Sequence, residues 1–263
     1  MELRHQHLTR YISPLREGGS LPALAEADDG FKYAVKFRGA GHGVKALIAE
    51  LIGGEIARKL GMKVPEIVFL DVDSRFGITE PDVEIQDLLK ASRGVNLGLH
   101  YLSGSMTLDP YINPVDSRLA SEIVWLDSYL INIDRTAANT NMLLWHGREV
   151  WLIDHGASLY FHHSWRDIEK AALTPFSLIA RHSLLHKAGN LDEVNAEFSR
   201  KLTEKDISDI VDLIPDDWLE WGGETDMTAA GIRDVYKYFL NERLRNSSVF
   251  TKAAIDERRK SLI

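Results

Sequence analysis

Between a helical stretch and a short apolar hairpin the chain carries Asn132-Ile133-Asp134-Arg135-Thr136-Ala137-Ala138-Asn139-Thr140-Asn141, and the hairpin runs out at Ile153-Asp154-His155-Gly156. That order restricts the fold. A loop too rich in Asn and Thr to be core must stand open at the end of a helix, and a strand must deliver a second acidic residue beside it. Asp134 and Asn139 lie five positions apart on the loop (139 − 134 = 5). With Asp154 they supply a carboxylate able to handle an acceptor hydroxyl and two oxygen ligands, Asn139 and Asp154, for Mg²⁺. Asn141 is an alternative to Asn139 as ligand, or else a turn-forming cap. Arg135 is either a buttress or a phosphate contact.

Phosphoryl transfer also needs a cation on the phosphates, and the first hundred residues offer one. Residues 32–37 alternate Tyr33, Val35 and Phe37 with Lys32, Ala34 and Lys36, which predicts a half-buried strand with Lys36 opposite the aromatics. From the strand alone Lys36 could equally be a solvated surface lysine. Before it, Gly18-Gly19-Ser20-Leu21-Pro22 predicts a flexible glycine-bearing loop, and Asp28-Asp29-Gly30 a turn. Leu47, Ile48, Leu51, Ile52, Ile56 and Leu60 recur at helical spacing over residues 45–60, and Gly61 ends that helix. Glu50 lies inside it, fourteen positions after Lys36 (50 − 36 = 14), and can hold the ammonium in place. Glu55 competes for this role, because an amphipathic helix turns only one of the two inward. Strands are predicted over 64–72 and 96–102, with a short amphipathic segment over 84–91.

After the turn at Ser103-Gly104-Ser105 the pattern becomes helical. Helices are predicted over 117–132, 174–188, 190–201, 203–221 with a break near Pro215, and 227–245, and a hairpin over 142–145 and 150–153. The chain therefore divides into a strand-rich portion, residues 1–104, and a mostly helical portion, residues 105–263, with a nucleotide expected between them. The fold class is α+β.

At this point Tyr33-Ala34-Val35-Lys36-Phe37, Ala49-Glu50, Ala57-Arg58-Lys59-Leu60-Gly61-Met62-Lys63-Val64-Pro65, the loop from Asn132 to Asn139 and Leu152-Ile153-Asp154-His155-Gly156 together resemble the HipA-like kinase domain family. The motifs stand in the family's order across residues 14–240. The resemblance implies a bilobed protein-kinase-like fold, ATP and Mg²⁺ as cofactors, and a protein substrate with a Ser or Thr acceptor. It makes Lys36 the phosphate-binding lysine, Glu50 its helix partner, Asp134 the catalytic residue, and Asn139 and Asp154 the metal ligands. It places adenine against the backbone of His100, Tyr101 and Leu102, and puts Gly19 and Ser20 in the loop at the nucleotide, with Ser20 a site of self-phosphorylation. His155 departs from the Phe that protein kinases carry there. A kinase of the same fold acting on a small molecule or lipid head group, and a nucleotide-binding pseudokinase or interaction module, are the alternatives.

Composition removes other classes. The chain has no Cys, which excludes a disulfide framework, a zinc-thiolate site, an iron–sulfur cluster and a cysteine nucleophile. A net charge of −8 argues against a broad basic surface for nucleic acid. No apolar run resembles a signal peptide or a membrane span, so a cytoplasmic protein with no membrane partner is expected. Gly39-Ala40-Gly41-His42-Gly43-Val44-Lys45 lacks the third Gly of a dinucleotide loop and the Ser or Thr of a phosphate loop, and reads as a connector. His162-His163 has no supporting carboxylate spacing for zinc, and Trp218, Leu219 and Trp221 read as packing.

Overall fold

Five strands of the first hundred residues close on themselves: β1 (His5–Pro14), β2 (Ala23–Ala27), β3 (Lys32–Lys36), β4 (Ile67–Val72) and β5 (Gly94–His100), in the order β1-β2-β3-β5-β4. β1 returns to pair in parallel with β4, and the remaining pairs are antiparallel. The computed structural model describes residues 2–15, 21–41, 43–73, 75–78, 80–165, 167–221 and 225–262. Gly19 and Ser20 lie outside them. Period-two alternation points Leu8, Ala23, Ala25, Tyr33, Val35, Val68 and Leu70 into the closed sheet, where they form one core. Backbone room inside is tight. A Cβ on Gly98, which lies between Val35 and Val68 in register, would come within 2.3 Å of Leu70 Cδ1.

The strand β1 has no counterpart in the sequence reading, because only Leu8 of its ten residues is buried and its inward–outward alternation is interrupted at Thr9 and Arg10, where the pairing with β2 shifts register. The helix α1 (Gly43–Lys59) corrects a second expectation. Every residue from Leu47 to Ala57 is buried, so the helix has no single inward face and both Glu50 and Glu55 are enclosed. Glu55 lies 3.3 Å from Arg58, and burial raises its carboxyl above the usual range. α2 (Val83–Ala91) follows, capped by Asp82, whose side chain accepts the N–H groups of Glu84 and Ile85.

In the second half α3 (Ser117–Leu130) is capped by Asp116 and ends in Ile131 at φ 55, a left-handed conformation that closes the helix. β6 (Met106–Thr107), β7 (Met142–Trp145) and β8 (Glu149–Leu152) make a small sheet in sequence order. Helices α4 (Ile168–Ala172), α5 (Leu191–Lys201), α6 (Glu204–Val211), α7 (Ala229–Arg245) and α8 (Ser247–Ser261) complete the chain. The chain is thus α+β, strand-rich at first and helical afterwards. The helix expected over 174–188 is instead two 3-10 turns, Ser177–Arg181 and Leu185–Lys187, with His182 extended between them. Side-chain and backbone bonds from this segment to α3 and the loop after it replace the local i→i−4 bonds. The break near Pro215 is present, and α6 ends at Val211.

Two hydrophobic clusters organise the molecule. One fills the closed sheet; the other runs from α1 through α3, β7 and β8 to α7 and α8. The segment after α6 ties the larger cluster to the outer face of the closed sheet: Trp218 donates its indole N–H to Val95 O at 2.9 Å and meets Phe69 edge-on, while Asp217 accepts Arg38.

Candidate active site

Alternation along β3 sends Tyr33 and Val35 inward and leaves Lys36 on the outer face, against α1. Its ammonium lies 2.6 Å from Glu50 Oε2 and 2.5 Å from Asp154 Oδ1, with the side chain only 13% exposed. It is not a solvated strand lysine. Burial alone would raise the Glu50 carboxyl and lower the Lys36 ammonium. Their mutual attraction more than offsets it, so Glu50 falls to about 2 and Lys36 is raised. The other Glu50 oxygen has no hydrogen-bond partner, and the nearest ring nitrogen of buried His155 is 3.7 Å away. His155 rests on Gly53, where a Cβ would sit 2.7 Å from His155 Cβ.

The loop begins where Ile131 ends α3. Asn132 donates to Asp127 Oδ1 at 2.9 Å and accepts the Asp134 N–H at 3.1 Å. Asp134 Oδ2 receives Asn139 Nδ2 at 2.7 Å and Asn141 Nδ2 at 3.3 Å. Burial, with the charge of Asp154 added, outweighs these two amides and raises the Asp134 carboxyl. Asn139 is exposed, whereas Asn141 is buried and also reaches Asp154 O at 3.5 Å. Asn141 at φ 49 and Asp154 at φ 56 both hold left-handed backbone, a conformation that costs a non-glycine residue of order 1 kcal/mol.

Arg135 is fully buried. It donates Nε to Asp127 Oδ2 at 2.6 Å and Nη1 to the Asn141 carbonyl, so of its two expected roles the structure gives the buttress. Asp127 is a residue that the motif reading missed, and His182 Nε2 joins it at 2.8 Å. A signal was available. An acidic residue on the apolar side of a helix running Ile123-Val124-Trp125-Leu126-Asp127 has to be paired when buried.

Lys36, Asp134, Asn139, Asn141, Asp154 and Tyr160 line one cleft of about 500 Å³. His100, Tyr101 and Leu102 are not on its wall; the His100 N–H donates to Glu66 O at 2.8 Å and the Tyr101 N–H to Lys32 O at 2.9 Å. Of the two adjacent histidines, His163 lines the cleft while His162 is buried with Nδ1 2.9 Å from the Tyr236 hydroxyl, and burial holds its ring well below the usual histidine range. Among the described residues no three His, Cys, Asp or Glu side chains converge as a metal cage. The glycine-bearing connector before α1 is built into the fold. A Cβ on Gly39 would lie 2.7 Å from the Ala91 backbone, and Lys45 stands 4.7 Å over the Trp221 ring.

The family model of HipA-like kinases matches residues 8–250 of the chain. Among solved structures, a Helicobacter pylori proinflammatory kinase, CtkA, is similar at a TM-score of 0.56 and 14% identity, covering 97% of this chain and 98% of that one. At that identity the likeness speaks for the fold. No curated protein sequence matches.

Proposed function

The chain belongs to the HipA-like kinase family, and on that premise we propose that it transfers the γ-phosphoryl group of ATP, with Mg²⁺, to a Ser or Thr hydroxyl of a protein. The observation that carries this reading is Lys36, held between Glu50 and Asp154 on the wall of the cleft that also holds Asp134. ATP would lie between residues 1–104 and 105–263 as two lobes with the phosphates on Lys36. Adenine would have to extend past the cleft wall to reach His100, Tyr101 and Leu102, of which the His100 and Tyr101 N–H groups are already bonded to the backbone of Glu66 and Lys32. Gly19 and Ser20 would flank the phosphates, and Ser20 is a candidate for self-phosphorylation. In the transfer step the acceptor oxygen bonds to the γ-phosphorus as the bond to the β-γ bridging oxygen breaks, and Asp134 takes the hydroxyl proton. The raised Asp134 carboxyl supports that role.

The donor set fits a hard cation. Asp154 Oδ1 already holds a positive charge, the Lys36 ammonium, and Asn139 and Asn141 line the same cleft with their amide nitrogens donating to Asp134, which leaves the amide oxygen of either as the second ligand. Two protein oxygen ligands suit an ion that completes its shell with water and phosphate rather than with a protein cage. Bound Mg²⁺ would neutralise charge on the transferring phosphoryl group. Among the described residues no helix is long and apolar enough to cross a membrane, and we assign the activity to the cytoplasm.

Calorimetric titration with ATP tests the nucleotide half of the proposal. Binding should need Mg²⁺ and weaken at least about tenfold in Lys36→Ala, a loss of roughly 1.4 kcal/mol. ATP that binds equally well without Mg²⁺, and equally well to Lys36→Ala and Asp154→Ala, would overturn it.

A further inference from the structure

We propose that His182, acting through Asp127, is a positioning residue for the loop that carries Asp134. The ring's protonation is legible from its neighbours. Leu184 N–H donates to His182 Nδ1 at 3.0 Å, so Nδ1 carries no proton; the proton is on Nε2, which donates to Asp127 Oδ2 at 2.8 Å. Asp127 is fully buried in α3 and both its oxygens are used, Oδ1 by Asn132 and Oδ2 by Arg135 and His182. Asn132 and Arg135 flank Asp134 closely. Asn132 fixes the Asp134 N–H, and Arg135 holds the Asn141 carbonyl. One carboxylate therefore sets both ends of the short stretch that presents Asp134.

His182 enters this arrangement from 55 positions further along the chain, between the two 3-10 turns. Its backbone also bridges Thr136, and Ser183 N–H donates to Arg135 O at 3.1 Å. The segment from Ser177 to Lys187 is thus bonded to the loop along main chain and side chain together. Neither Lys36 nor Glu50 takes part. Disturbing His182 should accordingly move Asp134 while leaving the phosphate-binding lysine in place. The rate consequence rests on the kinase reading above; the loop consequence does not.

The test compares His182→Phe, which keeps a ring but removes the Nε2–H donor, with His182→Gln, whose amide nitrogen can reach the same place. In the full chain without ligand, amide hydrogen exchange over residues 132–141 should speed up about tenfold in the Phe variant and stay within about threefold of wild type in the Gln variant. With Mg²⁺ and ATP, kcat should fall about tenfold or more for Phe, with KM for ATP within about twofold, and recover in Gln, because a displaced reacting group costs rate rather than nucleotide binding. Should His182→Phe fail to fold, His182→Asn takes its place, since its shorter amide reaches the Nδ1 position and not Asp127. Unchanged exchange over 132–141 in both Phe and Asn variants, or a Gln variant as impaired as Phe, overturns the inference. Loosening of the loop in His182→Phe as predicted, together with a wild type that transfers no phosphate, would overturn the kinase reading and leave the positioning role standing.

Discussion

At the scale of single residues, Glu50 and Lys36 set the electrostatics of the site. The Glu50 carboxyl has a folded value of about 2 against an ordinary 4.5, so its contribution to stability is complete above 4.5 and lost as pH falls from 4.5 towards 2. Glu50→Gln should be less stable than wild type at pH 7 by roughly 1–3 kcal/mol. That gap should close as pH falls through the same window, which urea unfolding at pH 7 and pH 3 would show. Lys36 acts as a resident cation on Asp154. In Lys36→Met, Mn²⁺ should bind roughly tenfold more tightly in the absence of nucleotide, because the positive charge beside the ligand oxygen is gone. Weaker or unchanged Mn²⁺ binding by calorimetry would contradict that role. Lys36, Glu50, Asp134 and Asp154 were each legible as candidates from residue type and spacing. The pairing of Lys36 with Glu50 was legible too, but the direct contact of Lys36 with Asp154 was not, because the two are 118 positions apart and only the fold brings them to 2.5 Å. The choice between Glu50 and Glu55 could not be made by helix face, since α1 is enclosed on every side.

Among the elements, α1 shows how packing overrules intrinsic preference. Replacing Gly by Ala inside a helix ordinarily stabilises it by about 1 kcal/mol. At Gly53 the new methyl would meet His155 Cβ at 2.7 Å, so Gly53→Ala should instead destabilise by roughly 1–3 kcal/mol in urea unfolding. It should also weaken ATP binding by pushing on the residue after Asp154. The elements that the sequence described well are those with strong local signals: α3, the β7–β8 hairpin, α5 and α7. Those it described poorly are held by partners far along the chain. The segment over 174–188 trades helical bonds for bonds to Asp127 and Arg135, and β1 buries only Leu8 fully and breaks its alternation at Thr9 and Arg10.

For the whole molecule, the decisive feature is that α1 belongs to the larger cluster with α3, α7 and α8, although it lies between strands of the closed sheet. Residues 1–104 on their own would leave its apolar surface uncovered. The full chain should therefore unfold in one transition, and the 1–104 fragment should show none; a cooperative thermal transition of that fragment by circular dichroism would contradict this. Trp218, fully buried and bonded to Val95 O, ties the segment after α6 to the strands, and Trp218→Ala should cost about 3–5 kcal/mol in the same unfolding assay. The central claim is that the molecule brings Lys36, Asp134 and Asp154 to one cleft in order to move a phosphoryl group. Incubation with γ-labelled ATP and Mg²⁺ in a cell lysate measures this directly. The wild type should label itself or a lysate protein on Ser or Thr, and Asp134→Asn and Asp154→Ala should reduce labelling by at least about a hundredfold. Equal labelling by wild type and both variants, or none by the folded wild type, would contradict it.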